Sequence, residues 1–329
     1  MLQFSLRRIS LFFPMLFLAS LLVFAIIQAP PGDFLDDFAA MLAEEGETFG
    51  EGISMERLRE QYGLDKPIHV QYWKWIWNVL HWDLGVSLEW QKPVTDLLNQ
   101  RLLMTVILGA STVLLTWTLA LPIGVISAVK QYSIIDYVFT FISYIGVATP
   151  NFVLALIGMW LALSMFNANV TGLFSRDYID AEWSITRVLD MFKHLWLPMV
   201  ILGTSGTARL TRIVRANLLD ELSKPYVEAA RAKGVSPWRL IIKYPTRIAL
   251  NPFISTAGLE ITELFSGSLI VATVLSLPTV GPLLLRALIS QDMFMAGSIL
   301  LILTTLTLIG TLISDLMLAA LDPRIRMTH

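Results

Sequence analysis

Six stretches of this chain are apolar, nearly free of charge and about twenty residues or longer. They are residues 9–29, 103–129, 137–166, 195 to about 214, 254–275 and 295–321. Lipid cannot satisfy open backbone polar groups, so a segment of this kind crosses a bilayer as a helix. The pattern predicts an all-α integral membrane protein with six transmembrane helices. Pro150 interrupts the third stretch, Glu260 and Glu263 fall inside the fifth, and the fourth ends among arginines. A composition of 55% hydrophobic against 15% charged residues in 329 is too apolar for soluble domains of this length. Residues 9–29 follow Arg7 and Arg8 as a secretion signal would. The run is long enough to span and ends in no small-x-small cleavage site, so it reads as a retained first helix, with a cleaved signal as the alternative.

The basic residues orient the spans. Between Arg209 and Arg247 nine lysines and arginines stand against three acids, Asp220, Glu221 and Glu228. The positive-inside rule places this loop in the cytoplasm. With six spans, Arg7, Arg8, Arg324 and Arg326 fall on the same side, so both termini are expected there. The acid-rich segment after the first span is then external. The expected organisation is a first transmembrane helix at 1–29, an external insertion at 30–102, and a five-helix core at 103–329 with a cytoplasmic loop at 216–250. Within the insertion Tyr72, Trp73, Trp75, Trp77 and Trp82 crowd one short stretch. Indole rings favour the headgroup level, so the stretch reads as an interfacial anchor, with a substrate-stacking platform as the alternative.

Several function classes fall away. A net charge of −2 and the lack of a basic stripe with interleaved aromatics argue against a nucleic-acid partner. Zero cysteines and four scattered histidines provide no recognisable metal motif and no thiol nucleophile. There is no GxxxxGK[ST] phosphate loop and no GxSxG elbow, so neither ATP hydrolysis nor intramembrane hydrolysis is expected of this chain.

The loop at 216–250 carries the strongest local signals. Ser223 can cap a helix start, Pro225 suits its first turn, and Gly234 can supply the left-handed stop. A helix over about 224–233 results. Ser236 and Pro237 repeat the start signal for a second helix from about Trp238. Ala229, Ala230 and Ala232 would leave this elbow a face that another backbone can approach. A basic amphipathic helix on anionic lipid fits Arg231, Lys233, Arg239 and Lys243 equally well.

Glu228-Ala229-Ala230, three residues and then Gly234 resembles the EAA loop of ABC-transporter permeases. The resemblance extends over most of the chain to the dipeptide, oligopeptide and nickel branch of that family. Its further carriers are Arg7-Arg8 with Pro31-Gly32-Asp33, and Gly63-Leu64-Asp65-Lys66-Pro67 with Gln71-Tyr72 and Asp83-Leu84-Gly85. Thr149-Pro150-Asn151-Phe152, Ala208-Arg209-Leu210-Thr211-Arg212, Tyr226-Val227 and Leu321-Asp322-Pro323-Arg324 complete it in order. The chain departs from the pattern at Tyr244 to Arg247, where the family's I-x-L-P would fall, and at Ala272 and Thr279.

The resemblance implies a type I ABC importer permease in a bacterial cytoplasmic (inner) membrane. Tyr226, Glu228, Ala229, Ala230, Ala232 and Gly234 would be its ATPase-coupling residues. The implied partners are a second homologous permease, two cytoplasmic ABC ATPase subunits or domains, and an external solute-binding protein. ATP and Mg2+ would sit on the ATPases, with no cofactor or metal in this chain. The expected cargo is a peptide or a related organic solute.

Acidic residues at membrane depth cost about 2.5–3.5 kcal/mol each on insertion scales, so they should face a pathway or a partner. Glu260 and Glu263 share one helix face, which suits either a pathway lining or structural pairing. Asp315, near the end of the last span, reads as structural. Pro150 and Asn151 mark a helix break at membrane depth, expected near the pathway. The rival reading is an ion-coupled secondary transporter with Glu260 and Glu263 as its ion site. That class is built from paired broken helices, and the sequence shows one broken span without a counterpart.

Overall fold

The computed structural model describes residues 2–30, 32, 35, 59–60, 63–167, 170–179, 181–255 and 268–321. Among them the architecture is helical. In chain order the helices are α1 (Leu2–Gln28), α2 (Ile68–Leu80), α3 (Val94–Val129), α4 (Ile134–Ala148), α5 (Asn151–Phe166) and α6 (Ile185–Leu222). There follow α7 (Pro225–Ala232), α8 (Pro237–Lys243), α9 (Pro245–Ser255), α10 (Val280–Ile289) and α11 (Met293–Leu321). The chain divides into two compact units, residues 1–10, 104–278 and 307–329 on one side, and 11–103 and 279–306 on the other.

Three helices are long and apolar enough to cross a membrane over Ser5–Gln28, Val94–Val129 and Met293–Ala320. They match the first, second and sixth predicted spans. The third span does not form as one helix. It divides into α4 and α5, bent by 103°, which brings the count to four if the pair is taken as one broken span. The cause is Pro150, whose ring drives Thr149 into extended backbone (φ −92, ψ 121). Pro150 then starts α5, where its carbonyl accepts from Val153 and Leu154 at 3.0 and 3.3 Å.

The fourth predicted span lies within α6, a 38-residue helix that is not apolar enough to qualify by composition. The reason is that α6 packs against α4, α5 and α9, so its small and polar residues meet protein rather than lipid. Gly146 on α4 faces Thr204 and Ala208 on α6, and Ser143 one turn earlier is buried. A Cβ added at Gly146 would stand 2.9 Å from Thr204 Cγ2. The fifth predicted span lies mostly outside the described residues.

In the second unit, α2 has two different faces. Tyr72 and Trp75 are buried against Phe24 of α1, and the Tyr72 hydroxyl meets Ser20 Oγ at 2.8 Å. Trp73 and Trp77 point outward and are more than half exposed. The interfacial anchor therefore fits Trp73 and Trp77, while Tyr72 and Trp75 belong to the core. After α2, a turn closes with Val86 paired to Pro93. Asp292, fully buried, fastens that turn: it accepts from Ser87 Oγ at 2.5 Å and Glu89 N at 3.2 Å. The same carboxylate caps α11 through Met295 N at 3.1 Å. Glu89 also pairs with Arg286 and accepts from Ser290 Oγ at 2.7 Å.

Candidate functional site

The predicted loop folds as an elbow of three short helices. Its root is the end of α6, which Ser223 terminates by donating its hydroxyl to Asp220 O at 2.8 Å. Ser223 therefore does not cap the next helix. Lys224 takes the N-cap position in extended backbone, and Pro225, which has no N–H to satisfy, opens α7. Tyr226 ties α7 back to α6 by donating its hydroxyl to Glu221 Oε2 at 2.6 Å. Partial burial, followed by that carboxylate neighbour, pushes the Tyr226 phenol above its ordinary range.

Gly234 ends α7 as the sequence foretells. Its φ is +75, its N–H donates to Arg231 O at 3.0 Å, and Val235 N–H donates to Ala230 O at 3.3 Å. This is the paired bonding of a Schellman cap, in which a left-handed residue satisfies the last carbonyls of a helix. Nothing lies within 4 Å of a Cβ built on Gly234, so glycine is required by backbone conformation and not by lack of room. Pro237 then opens α8 with Ser236 as a cap that makes no side-chain bond, and Pro245 opens α9. The proline that displaces the family's usual pattern at this point is thus a helix start.

One residue holds the elbow together. Val227 is completely buried and packs with Leu240 and Ile241 of α8, with Leu222, Val125, Ala230 and Val235 closing round them. This corrects the expected small-residue face: Ala230 turns inward to the cluster, whereas Glu228, Ala229 and Ala232 remain exposed. The exposed strip of α7 is therefore Glu228, Ala229, Arg231 and Ala232.

Two turns of helix before the elbow, α6 is pinned to α4 by a pair that the sequence reading missed. Arg215 donates from Nε and Nη2 to the two oxygens of Asp136, each at 2.8 Å. Asp136 is buried, and Tyr132 N–H reaches the same carboxylate at 3.0 Å. Bidentate guanidinium–carboxylate geometry is among the strongest of charge-assisted bonds. The available signal was Ser133-x-x-Asp136, a helix-start pattern whose acid sits where Arg215 can reach it.

The other predicted residues lie elsewhere. Pro150 is exposed and Asn151 half-buried at the α4–α5 break. Glu260 and Glu263 lie outside the described residues. Asp315 pairs with Arg8 at 3.0 Å, a contact between the ends of α11 and α1.

A multi-pass helical membrane protein that ends its longest helix in an exposed, glycine-capped elbow has the layout of a transport subunit. The profile of the binding-protein-dependent transport system inner membrane component matches residues 120–327. The profile of the N-terminal part of such membrane components matches residues 1–109. The chain belongs to this family. It is 33% identical over 326 residues to the oligopeptide transport system permease protein AppB of Bacillus subtilis, covering 99% of both chains. It is 33% identical over 346 residues to the dipeptide transport system permease protein DppB of Escherichia coli K12, again with 99% of each covered. Against the glutathione transport system permease protein GsiC of Salmonella choleraesuis the identity is 30% over 326 residues, with the same coverage. The chain is thus the permease subunit of an ABC importer. This membership sets the ion-coupled carrier aside.

Proposed function

We propose that the chain conducts peptides inward and that α7 is where an ATPase seats itself. The observation that carries this reading is the exposed Glu228-Ala229-Ala232 strip, held rigid by Val227 beneath it and by the cap at Gly234. Small side chains on a fixed helix let a partner's groove close on the backbone. The full-length likeness to permeases named for oligopeptides, dipeptides and glutathione supports short peptides as the cargo class.

In this reading the chain pairs with a second permease, two ATPases bind the two elbows, and a solute-binding protein delivers cargo from outside. ATP and Mg2+ belong to the ATPases. The elbow and both termini face the cytoplasm in this reading, which the basic loop and the basic ends favour. When the ATPases close, α7 moves with α6, because Tyr226 and Val227 fasten one to the other. Arg215 carries that displacement into α4 through Asp136, and α4 ends at the Pro150 bend. Pro150 and Asn151, with Glu260 and Glu263, are proposed to border the pathway that opens. The alternation is between two packed states, each favoured by a different partner.

The test is transport by the complete complex in proteoliposomes. Labelled di- and tripeptides should accumulate only with ATP and the binding protein present. Accumulation driven by a proton gradient without ATP would overturn the proposal.

A further inference from the structure

The elbow offers two outward faces, and they differ in chemistry. The face of α7 carries Glu228, Ala229, Arg231 and Ala232, and is polar and without apolar bulk. On α8, Trp238 and Ile242 are each 63% exposed and stand one turn apart. Arg239 and Lys243, also exposed and one turn apart, form a basic strip directly beside that apolar one. The pairing recurs at the start of α9, where Arg247 and Ile248 are both exposed. An apolar strip bordered by lysine and arginine is the pattern of a helix that lies in a headgroup layer.

The depth of α8 agrees with that reading. Its inward residues Leu240 and Ile241 pack in a cluster that includes Val125 of α3. The apolar run of α3 ends at Val129, so α8 packs within about 6 Å, along the α3 axis, of the end of that run. Tryptophan is enriched at the headgroup level, where its ring is buried and its N–H stays wet.

We propose that α8 is a lipid foot: Trp238 and Ile242 sink among the outer acyl carbons, while Arg239 and Lys243 hold anionic phospholipid headgroups. The occupant is anionic phospholipid of the cytoplasmic leaflet, whose negative surface potential complements the basic strip. This rests on the orientation given under Proposed function. The elbow then divides its work, with α7 left for the ATPase and α8 resting on the membrane.

The chain has no cysteine, so single Ile242→Cys and Ala229→Cys substitutions in the full chain can each carry one spin label. The vesicles would be phosphatidylcholine with about a third phosphatidylglycerol, an anionic surface. At position 242 the ratio of oxygen to water-soluble nickel accessibility should exceed that at 229 by about tenfold, as expected for a buried interfacial face. Adding Arg239→Gln and Lys243→Gln, or omitting phosphatidylglycerol, should lower the ratio at 242 by about half. Equal ratios at the two positions would overturn the foot, and so would shielding of 242 that arises only when the ATPase is added. Orientation is read separately, with a membrane-impermeant maleimide on Ala229→Cys in vesicles of known sidedness. Reaction confined to the external side would overturn the orientation, and with it the choice of leaflet.

Discussion

The seam between α4 and α6 and the elbow at the end of α6 lie on the same helix and are built in opposite ways. In the seam, Gly146 meets Thr204 and Asp136 grips Arg215, so both contacts tie one helix directly to the other. In the elbow, Val227 alone is fully buried among α7 residues, and most of the rest face outward. The seam holds the protein to one shape, and the elbow keeps a surface for another. Substitutions should therefore separate into those that unfold the chain and those that leave it folded but uncoupled.

The largest effect is expected at the ion pair. Arg215→Ala strands a buried carboxylate and should cost about 3–5 kcal/mol, read as a steep fall in the melting temperature of the purified chain. The double variant Asp136→Asn with Arg215→Gln removes both charges and should lose clearly less. If the single and double variants melt alike, the pair is not what holds the seam.

A smaller loss is expected from Gly146→Ala, whose new methyl meets Thr204 Cγ2 at 2.9 Å and should cost about 1–3 kcal/mol by overpacking. Thr204→Ser deletes that methyl and should restore most of the melting temperature. Failure of the rescue would show that the two helices are not in this register.

Gly234→Leu should be milder still for stability, about 1–2 kcal/mol, since the penalty is left-handed backbone with open space around it. The variant should insert and yet lose peptide uptake, because the end of α7 would re-form. Normal uptake by an inserted Gly234→Leu protein would remove the elbow from the mechanism.

The smallest effect on folding is expected from Ala229→Arg, within about 0.5 kcal/mol for an exposed site. Its effect on assembly should be large, with the ATPase seated on this chain's elbow no longer co-purifying. A variant that keeps its ATPase would move the docking face off α7.

How much of this could be read from the residues differs along the chain. The cap at Gly234 was legible because a glycine after a helix-forming run has a specific backbone use, and α7 ends where that rule says. The first, second and last spans were legible because each is uniformly apolar. The break in span 137–166 was legible at Pro150, but its angle of 103° was not, since hydropathy cannot tell a kink from a sharp bend. The inward turn of Ala230 could not be foreseen, because alanine fits either face. Asp136 and Arg215 were overlooked as a pair because they are 79 residues apart, and each taken alone resembles an ordinary helix-end charge. Glu260 and Glu263 drew attention on insertion cost, an argument that names expensive residues without naming their partners.

The most direct test is gentle detergent purification of the tagged chain from its native membrane, alongside the Ala229→Arg variant, with all companions identified by mass spectrometry. The account predicts a second permease and P-loop ATPases with the natural chain, and the second permease with clearly less ATPase with the variant. Recovery of the natural chain by itself, or only with copies of itself, would contradict it.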